Sequence, residues 1–259
     1  MPSTKVEFTG SLGATLAAIL DEPDSPPRAY AMFAHCFTCS KDVIAASRIS
    51  RSLSGLGIGT FRFDFTGLGH SSGEFSDTTF SSNIGDLVAG ADWMRSNRKA
   101  PCILIGHSLG GAAVLAAASS IPECTAIATI GAPADPEHVV HLFDSASGDI
   151  ERDGKAEVSI GGRPFTVGKQ LLEDLRNQDP QARIQSLTQA LLVFHSPIDQ
   201  IVGIENAAQI YAWARHPKSF VSIDGADHML TKPKDAAFVA GMLSTWADRY
   251  ASDTGRASP

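Results

Sequence analysis

The chain has 259 residues, 43% hydrophobic and 19% charged, with a net charge of −7 and a mean hydropathy of 0.00. That length buries one large core or two modest ones. The acidic balance and the lack of any basic run argue against a nucleic-acid partner, and no stretch reaches the length of a membrane span.

"KVEFTG" and "ATLAAILDEP" flank a glycine-containing turn at 10–13 and predict an antiparallel hairpin. The apolar run 12–20 has only Lys5 before it, and Asp21 and Glu22 follow at once, so it reads as strand rather than signal peptide. Four cysteines make no disulfide framework, and a cytoplasmic protein with reduced thiols is expected. "AYAMFAH" (29–35) is nearly all apolar, as a strand buried on both faces would be. Apolar positions at helical spacing over 42–57 end on Gly55 and Gly57. Residues 58–65 then predict a strand, and 81–97 a helix capped by Ser or Asn. A buried strand at 100–106, an Ala-rich helix at 109–121 and a strand at 125–131 follow. After a break come a strand at 190–196, a helix at 203–215, a strand at 218–225 and a helix at 236–250. This alternation predicts an α/β fold with a mostly parallel central sheet and helices on both faces.

The break gives the expected organisation: a core of 1–134 and 186–251, and a small cap insertion at 135–185. Within the cap, 158–167 predicts a hairpin around Gly161 and Gly162, and 168–178 a short amphipathic helix. The small, polar tail 252–259 is expected to be mobile or the start of a linker.

"LIGHSLGGAA" carries the most information. Gly106, Ser108 and Gly110 fit G-x-S-x-G, a pattern too common in a glycine-rich chain to stand alone. Here a buried strand precedes the serine and a helix follows it, as a nucleophile elbow requires. The sharp turn needs glycine two residues to either side. It would present Ser108 at the C-terminal end of the sheet, beside a helix N-terminus. A serine hydroxyl needs a base to become a nucleophile. Asp199 in "SPIDQIV" and His228 in "GADHML" both follow predicted strands, in the order acid then histidine. The expected roles are Ser108 as nucleophile, His228 as proton relay and Asp199 as its orienting acid. Asp135, also just after a strand, is the rival acid. The plainer readings are a helix N-cap for Ser108 and a surface loop histidine for His228.

"HCFTCSKD", "RFDFTGLGHSSG", "GHSLGG", "SPIDQIV" and "GADHML" together resemble the serine hydrolases of the α/β-hydrolase superfamily, over residues 5–250. "HCFTCSKD" and "IGAPADP" are similar to the hydrolase half of bacterial proteins fused to an OsmC-like peroxide-reducing domain. A natural fusion of that kind is an expectation for the parent protein. The chain lacks the second domain's motifs, and its peroxide chemistry is not implied. The resemblance implies an α/β-hydrolase fold with a small cap. It places the oxyanion-hole donors at the backbone N–H groups of Phe37 and Leu109, with Cys36 where the family more often has glycine. It implies ester hydrolysis through an acyl-enzyme, with no metal or organic cofactor. The expected partner is a small or medium, uncharged ester, because the cap is short and has no strong basic cluster. No membrane partner is expected, and an exposed cap leaves room for a homodimer. Amidase, thioesterase or acyltransferase chemistry uses the same groups, and a silent ligand-binding homologue is the non-enzymatic alternative.

Cys36 and Cys39 have the spacing of a redox pair or half a zinc site. A zinc site needs about four ligands, and Cys102 and Cys124 are expected in or beside buried strands. The two are therefore read as small loop-packing residues, with oxidation sensitivity as the other reading. His107 is expected to pack the elbow. Asp64, Gly67 and Ser71 are expected to brace a nearby loop, and His138 and His141 to lie on the cap surface. Phe165, Leu171 and Leu172 either line an acyl pocket or pack the cap down.

Overall fold

In the computed structural model, which describes residues 2–251, the alternating pattern becomes an eight-stranded sheet. Its strands are β1 (Ser3–Thr9), β2 (Thr15–Asp21), β3 (Ala29–Ala34), β4 (Ile58–Phe63), β5 (Ile103–His107), β6 (Ala126–Ile130), β9 (Ala190–His195) and β10 (Lys218–Ser222). Their spatial order is β1-β2-β4-β3-β5-β6-β9-β10. The opening hairpin pairs antiparallel, and β2 runs antiparallel to β4. From β4 to β10 every pairing is parallel. The C-terminal ends of β3, β5, β6, β9 and β10 therefore open on one rim, where the loops that carry chemistry gather.

Why the central strands read as unbroken apolar runs is visible in the packing. On β3, Met32 and Ala34 enter the hydrophobic cluster on one face, and Ala31 and Phe33 the cluster on the other. β5 repeats this, with Leu104 on the first face and Ile103 and Ile105 on the second. Side chains alternate across a strand, so a sheet covered on both sides needs apolar residues at every position. Helices α1 (Ile44–Gly55) and α8 (Pro233–Ala247) cover the second face. The first is covered by α2 (Phe80–Asn97), α3 (Leu109–Ala117) and α7 (Glu205–Trp213). α2 begins a residue earlier than its sequence pattern suggests. Its N-cap is Thr79, whose hydroxyl accepts from Ser82 N–H at 2.9 Å while the Ser82 hydroxyl accepts from Thr79 N–H at 2.9 Å. This reciprocal box satisfies two donors that a helix start leaves open. Ser and Asn inside the helix are not the cap.

Between β6 and β9 the chain forms a 3-10 stretch (Pro136–Ala146), α4 (Ser147–Asp153), the hairpin β7–β8 (Lys155–Ile160 and Arg163–Gly168), α5 (Lys169–Arg176) and α6 (Pro180–Ser186). Sequence reasoning found the hairpin and α5 and missed the others. Pro136 and Pro180 open two of them, each behind an aspartate cap, Asp135 and Asp179. That is the start signal expected of Pro at a first helical position. Phe143, Ile150, Val167, Leu171 and Leu175 join the same hydrophobic cluster as α2 and α3. The excursion is therefore anchored by apolar burial on the sheet domain. The tail 252–259 lies outside the described residues.

A chain of charges braces the loops behind the rim. The Arg62 guanidinium donates to Asp21 at 2.8 Å and to Asp42 at 2.9 Å. The Lys41 ammonium donates to Asp64 at 2.7 Å, and the same carboxylate accepts from Lys41 N–H at 2.5 Å and His70 N–H at 2.8 Å. Ser71 donates to the Asp64 carbonyl at 2.6 Å and accepts from Ala17 N–H at 2.9 Å. Asp64 and Ser71 thus tie the loop after β4 to β2 and to the loop after β3. Lys41 and Asp64 are both buried, and removing one partner of such a pair strands the other charge. Asp64→Ala is expected to destabilise the fold by about 3–5 kcal/mol, read as a lower midpoint in urea unfolding.

Candidate active site

The loop after β5 turns back at Ser108, whose φ is 56° and ψ −129°. A non-glycine residue there is strained, by about 1–3 kcal/mol, and persists only where its surroundings over-determine it. Here they do. Ser108 N–H donates to the Ile130 carbonyl at 2.9 Å, and Gly111 N–H to the Ser108 carbonyl at 2.8 Å. The flanking glycines are forced by close approach. A Cβ on Gly106 would lie 2.2 Å from the Gly110 carbonyl oxygen, and one on Gly110 would lie 2.4 Å from those of Ala34 and His35. Ser108 makes no side-chain cap bond to α3, so the N-cap alternative has no hydrogen bond behind it.

Two other loops bring the histidine and its acid to the same place. His228 Nδ1 lies 2.7 Å from Asp199 Oδ2. The carboxylate accepts, so Nδ1 carries the hydrogen and Nε2 is left with its lone pair. The other oxygen of Asp199 accepts from the N–H groups of Ile201 at 2.9 Å and Val202 at 3.0 Å. Burial alone would raise this carboxyl, but the hydrogen bonds from His228 and Val202 N–H outweigh it, and the net result lies below the ordinary carboxylate value. His195, not singled out from the sequence, donates from Nε2 to the Val202 carbonyl at 2.8 Å and so shapes the turn that holds Asp199. Ser196 donates to the Ala226 carbonyl at 2.7 Å, joining the acid's loop to the histidine's loop. Asp135 is elsewhere: its carboxylate accepts from Glu137 N–H at 2.8 Å as an N-cap.

His107, beside the serine, closes the arrangement from behind. Its Nε2 lies 2.7 Å from the His228 carbonyl, and because a carbonyl only accepts, Nε2 donates. The His228 backbone is thereby pinned to the residue next to Ser108. Burial, with the neighbouring His228, pushes His107 down to about 3. It stays neutral at working pH. The unfolded chain binds a proton on this side chain below about pH 6.5, whereas the folded protein does not until about pH 3. Stability therefore rises with pH across that window. The melting temperature is expected to fall as pH drops from about 6 to 4, and to fall less in His107→Gln.

Ser108 and His228 line one cavity of about 440 Å³. No hydrogen bond joins Ser108 Oγ to His228 among the described residues; such bonds often tighten only when substrate is present. Phe37 lines the same cavity. Its N–H donates to no backbone or side-chain acceptor among the described residues. Leu109 is the first residue of α3, so its N–H has no intrahelical acceptor. Much of the wall is apolar, with Val139, Leu142, Ile160, Ile201 and Met229 on it, and Arg163 and Gln200 add polar groups.

Two expectations need correction. Cys36 and Cys39 form a disulfide, with their Cα atoms 5.3 Å apart. They are not simply reduced packing residues. The turn that bonds Cys39 N–H to the Cys36 carbonyl at 3.1 Å brings them within bridging reach. Phe165, Leu171 and Leu172 do not line the cavity at Ser108. Phe165 packs against Phe75 with ring centroids 5.4 Å apart, and both leucines are buried in the core. An amphipathic helix turns its leucines inward, so α5 holds the excursion down. His141 is exposed on the excursion, as expected, and it and the half-buried His138, whose Nε2 lies 3.1 Å from the Ile201 carbonyl, also line the wall of the cavity. The 3-10 stretch that carries them went unread although Val139, Phe143 and Ala146 repeat at helical spacing behind the Asp135–Pro136 start signal.

A strained serine after a strand, sharing a cavity with an aspartate-tethered imidazole at the C-terminal rim of a largely parallel sheet, is the arrangement of an α/β hydrolase. The chain belongs to the alpha/beta hydrolase family, whose model matches residues 31–252, and its fold is the α/β-hydrolase fold. A crystal structure of the esterase domain from a Rhodothermus marinus protein is similar at 49% identity, covering 97% of this chain and 100% of that one, with a TM-score of 0.79. Est1E from Butyrivibrio proteoclasticus with ferulic acid shares the fold at 19% identity, covering 95% of this chain and 99% of that one, with a TM-score of 0.78. The uncharacterized protein YfhR of Salmonella typhi is 26% identical over 176 residues, 66% of this chain. That match spans 55% of the relative's length. Family and esterase likeness together support a hydrolase. Among the described residues no helix is long and apolar enough to cross a membrane.

Proposed function

We propose that this protein is a serine carboxylic-ester hydrolase that acts through an acyl-enzyme on small or medium acyl esters. The observation that carries the reading is His228, held by Asp199 at 2.7 Å and lining the same cavity as the strained Ser108. His228 Nε2 removes the proton as Ser108 Oγ attacks the ester carbonyl. Asp199 keeps the hydrogen on Nδ1 and stabilises the imidazolium that forms. The N–H groups of Phe37 and Leu109 receive the oxyanion; one such donor is worth about 3 kcal/mol in related chemistry. The alcohol leaves with the proton from His228, and water then enters by the same base to release the acid. A mostly apolar cavity of about 440 Å³ suits an uncharged acyl or alcohol group and falls within the usual range for small-molecule sites. The cytoplasmic setting and the fused OsmC-like partner expected from the sequence belong to this same reading.

The test is release of p-nitrophenol from acetate, butyrate and octanoate esters, together with labelling by a serine-directed fluorophosphonate. Turnover with a label mapped to Ser108, and a rate that falls once the acyl chain outgrows the cavity, is expected. A protein that hydrolyses none of these esters and takes no label at Ser108 is not a serine esterase.

A further inference from the structure

The disulfide plays no part in the steps above, yet it encloses one of their components. It bridges Cys36 and Cys39, so the two residues inside the loop are Phe37 and Thr38. Phe37 carries one proposed oxyanion donor. Thr38 has a φ of 58°, a left-handed conformation that a β-branched residue adopts only under constraint. Packing supplies part of that constraint, since Thr38 is buried and the Phe37 ring packs on Phe75 and Phe143, and a few specific ties supply the rest. Cys39 N–H donates to the Cys36 carbonyl at 3.1 Å, the Thr38 hydroxyl to the Phe37 carbonyl at 2.7 Å, and Arg163 of the β7–β8 hairpin to the Thr38 carbonyl. The covalent bridge is the strongest of these ties. Both cysteines line the catalytic cavity; Cys36 is buried and Cys39 half-buried. A small thiol that enters the cavity therefore meets Cys39 first. Cys124 offers no competing site, since it is buried and burial pushes its thiol up to about 12. In a reducing cytoplasm, the disulfides that do occur are mostly catalytic or redox-sensing.

We propose that Cys36–Cys39 is a thiol–disulfide exchange site open to dithiol reductants through the catalytic cavity, and that the bridged form holds the oxyanion loop in its active shape. The exchange stands on the loop itself; its effect on rate rests on the esterase reading. A reductant thiolate bonds to Cys39 Sγ, the disulfide breaks, and Cys36 Sγ leaves with the electron pair and takes up a proton. The reductant's second thiol then attacks its own sulfur in the mixed disulfide. Cys39 leaves and is protonated, and the reductant closes to a cyclic disulfide. Two electrons and two protons pass to the protein. Untethered, Thr38 relaxes out of the left-handed region and carries the Phe37 N–H off target. Complete loss of one donor lowers kcat by about 10²–10³, so a loosened donor is expected to cost about tenfold. KM moves little, because the donor acts mainly in the transition state.

The experiment starts from protein oxidised with glutathione disulfide. One portion is treated with dithiothreitol without denaturant and desalted anaerobically. Alkylation and mass spectrometry report the bridge, and p-nitrophenyl butyrate reports kcat and KM. The bridge is expected to open within minutes, with kcat about tenfold lower, KM within about twofold, and full recovery on reoxidation. Cys36→Ser/Cys39→Ser should stay at the low rate in either condition, while Cys102→Ser keeps the whole response. A bridge that fails to form, one that opens only in denaturant, or a kcat indifferent to its state overturns the proposal. Rapid exchange in a folded protein with no ester turnover in either state would instead sink the esterase reading and leave the exchange site standing. The wild-type comparison needs no variant to fold.

Discussion

Replacing Ser108 with alanine is expected to lower kcat toward p-nitrophenyl butyrate by about 10⁴–10⁶-fold, with KM changed far less. In the proposed reaction the hydroxyl oxygen bonds to the acyl carbon, and among the described residues no other serine lines the cavity. The proposed oxyanion donors and the binding wall would remain, and such features by themselves leave about 10³–10⁴-fold catalysis over water in related hydrolases. Alanine still carries a Cβ and must accept the φ of 56° that serine accepts. The elbow, held by Ile130 and Gly111 through backbone bonds, should therefore survive. A circular dichroism melt within a few degrees of the wild type shows that the loss is chemical. Retention of more than a few per cent of the rate would remove Ser108 from the reaction.

Asp199→Asn is expected to cost about 10⁴-fold in kcat while leaving the shape of the site nearly intact. The carboxylate now accepts from His228 Nδ1 at 2.7 Å, and its second oxygen accepts from Ile201 and Val202 N–H. An asparagine whose carbonyl oxygen keeps the two backbone donors turns its NH₂ toward His228. That favours the tautomer with hydrogen on Nε2, which cannot take the serine's proton. Asp135→Asn is the matched control. Asp135 only caps the 3-10 stretch, so its effect should stay within a few-fold. Stability adds a second readout. Asp199 titrates below its ordinary value in the folded protein, so its contribution is present above about pH 4 and is lost as pH falls through the lower, folded value. The wild type should lose more melting temperature than Asp199→Asn between pH 6 and 3. Equal kcat losses at positions 135 and 199 would contradict the assignment of the acid.

Much of this architecture is legible in the chain because it rests on short-range rules. Unbroken apolar runs mark β3, β5 and β9, since a strand covered on both faces needs apolar residues at each position. The glycines around Ser108 mark a turn in which no Cβ fits. Asp199 and His228 stand out because each follows a strand and so falls at the loop-bearing rim. The 3-10 stretch at 136–146 was legible too, in the Asp135–Pro136 start and in Val139, Phe143 and Ala146 at helical spacing, but it is short and its polar residues mask the pattern.

Residue types, their order and the strand that precedes each are properties of the chain, and they were enough to name the α/β fold and the candidate serine, histidine and two rival acids at its rim. Only the folded structure decided that Asp199 rather than Asp135 reaches the imidazole, that Leu171 and Leu172 face the core and His138 and His141 the cavity, and that Cys36 and Cys39 are joined. Each of those outcomes depends on where side chains point. Many in these segments are set by packing between stretches far apart in sequence, which local propensity and spacing do not encode.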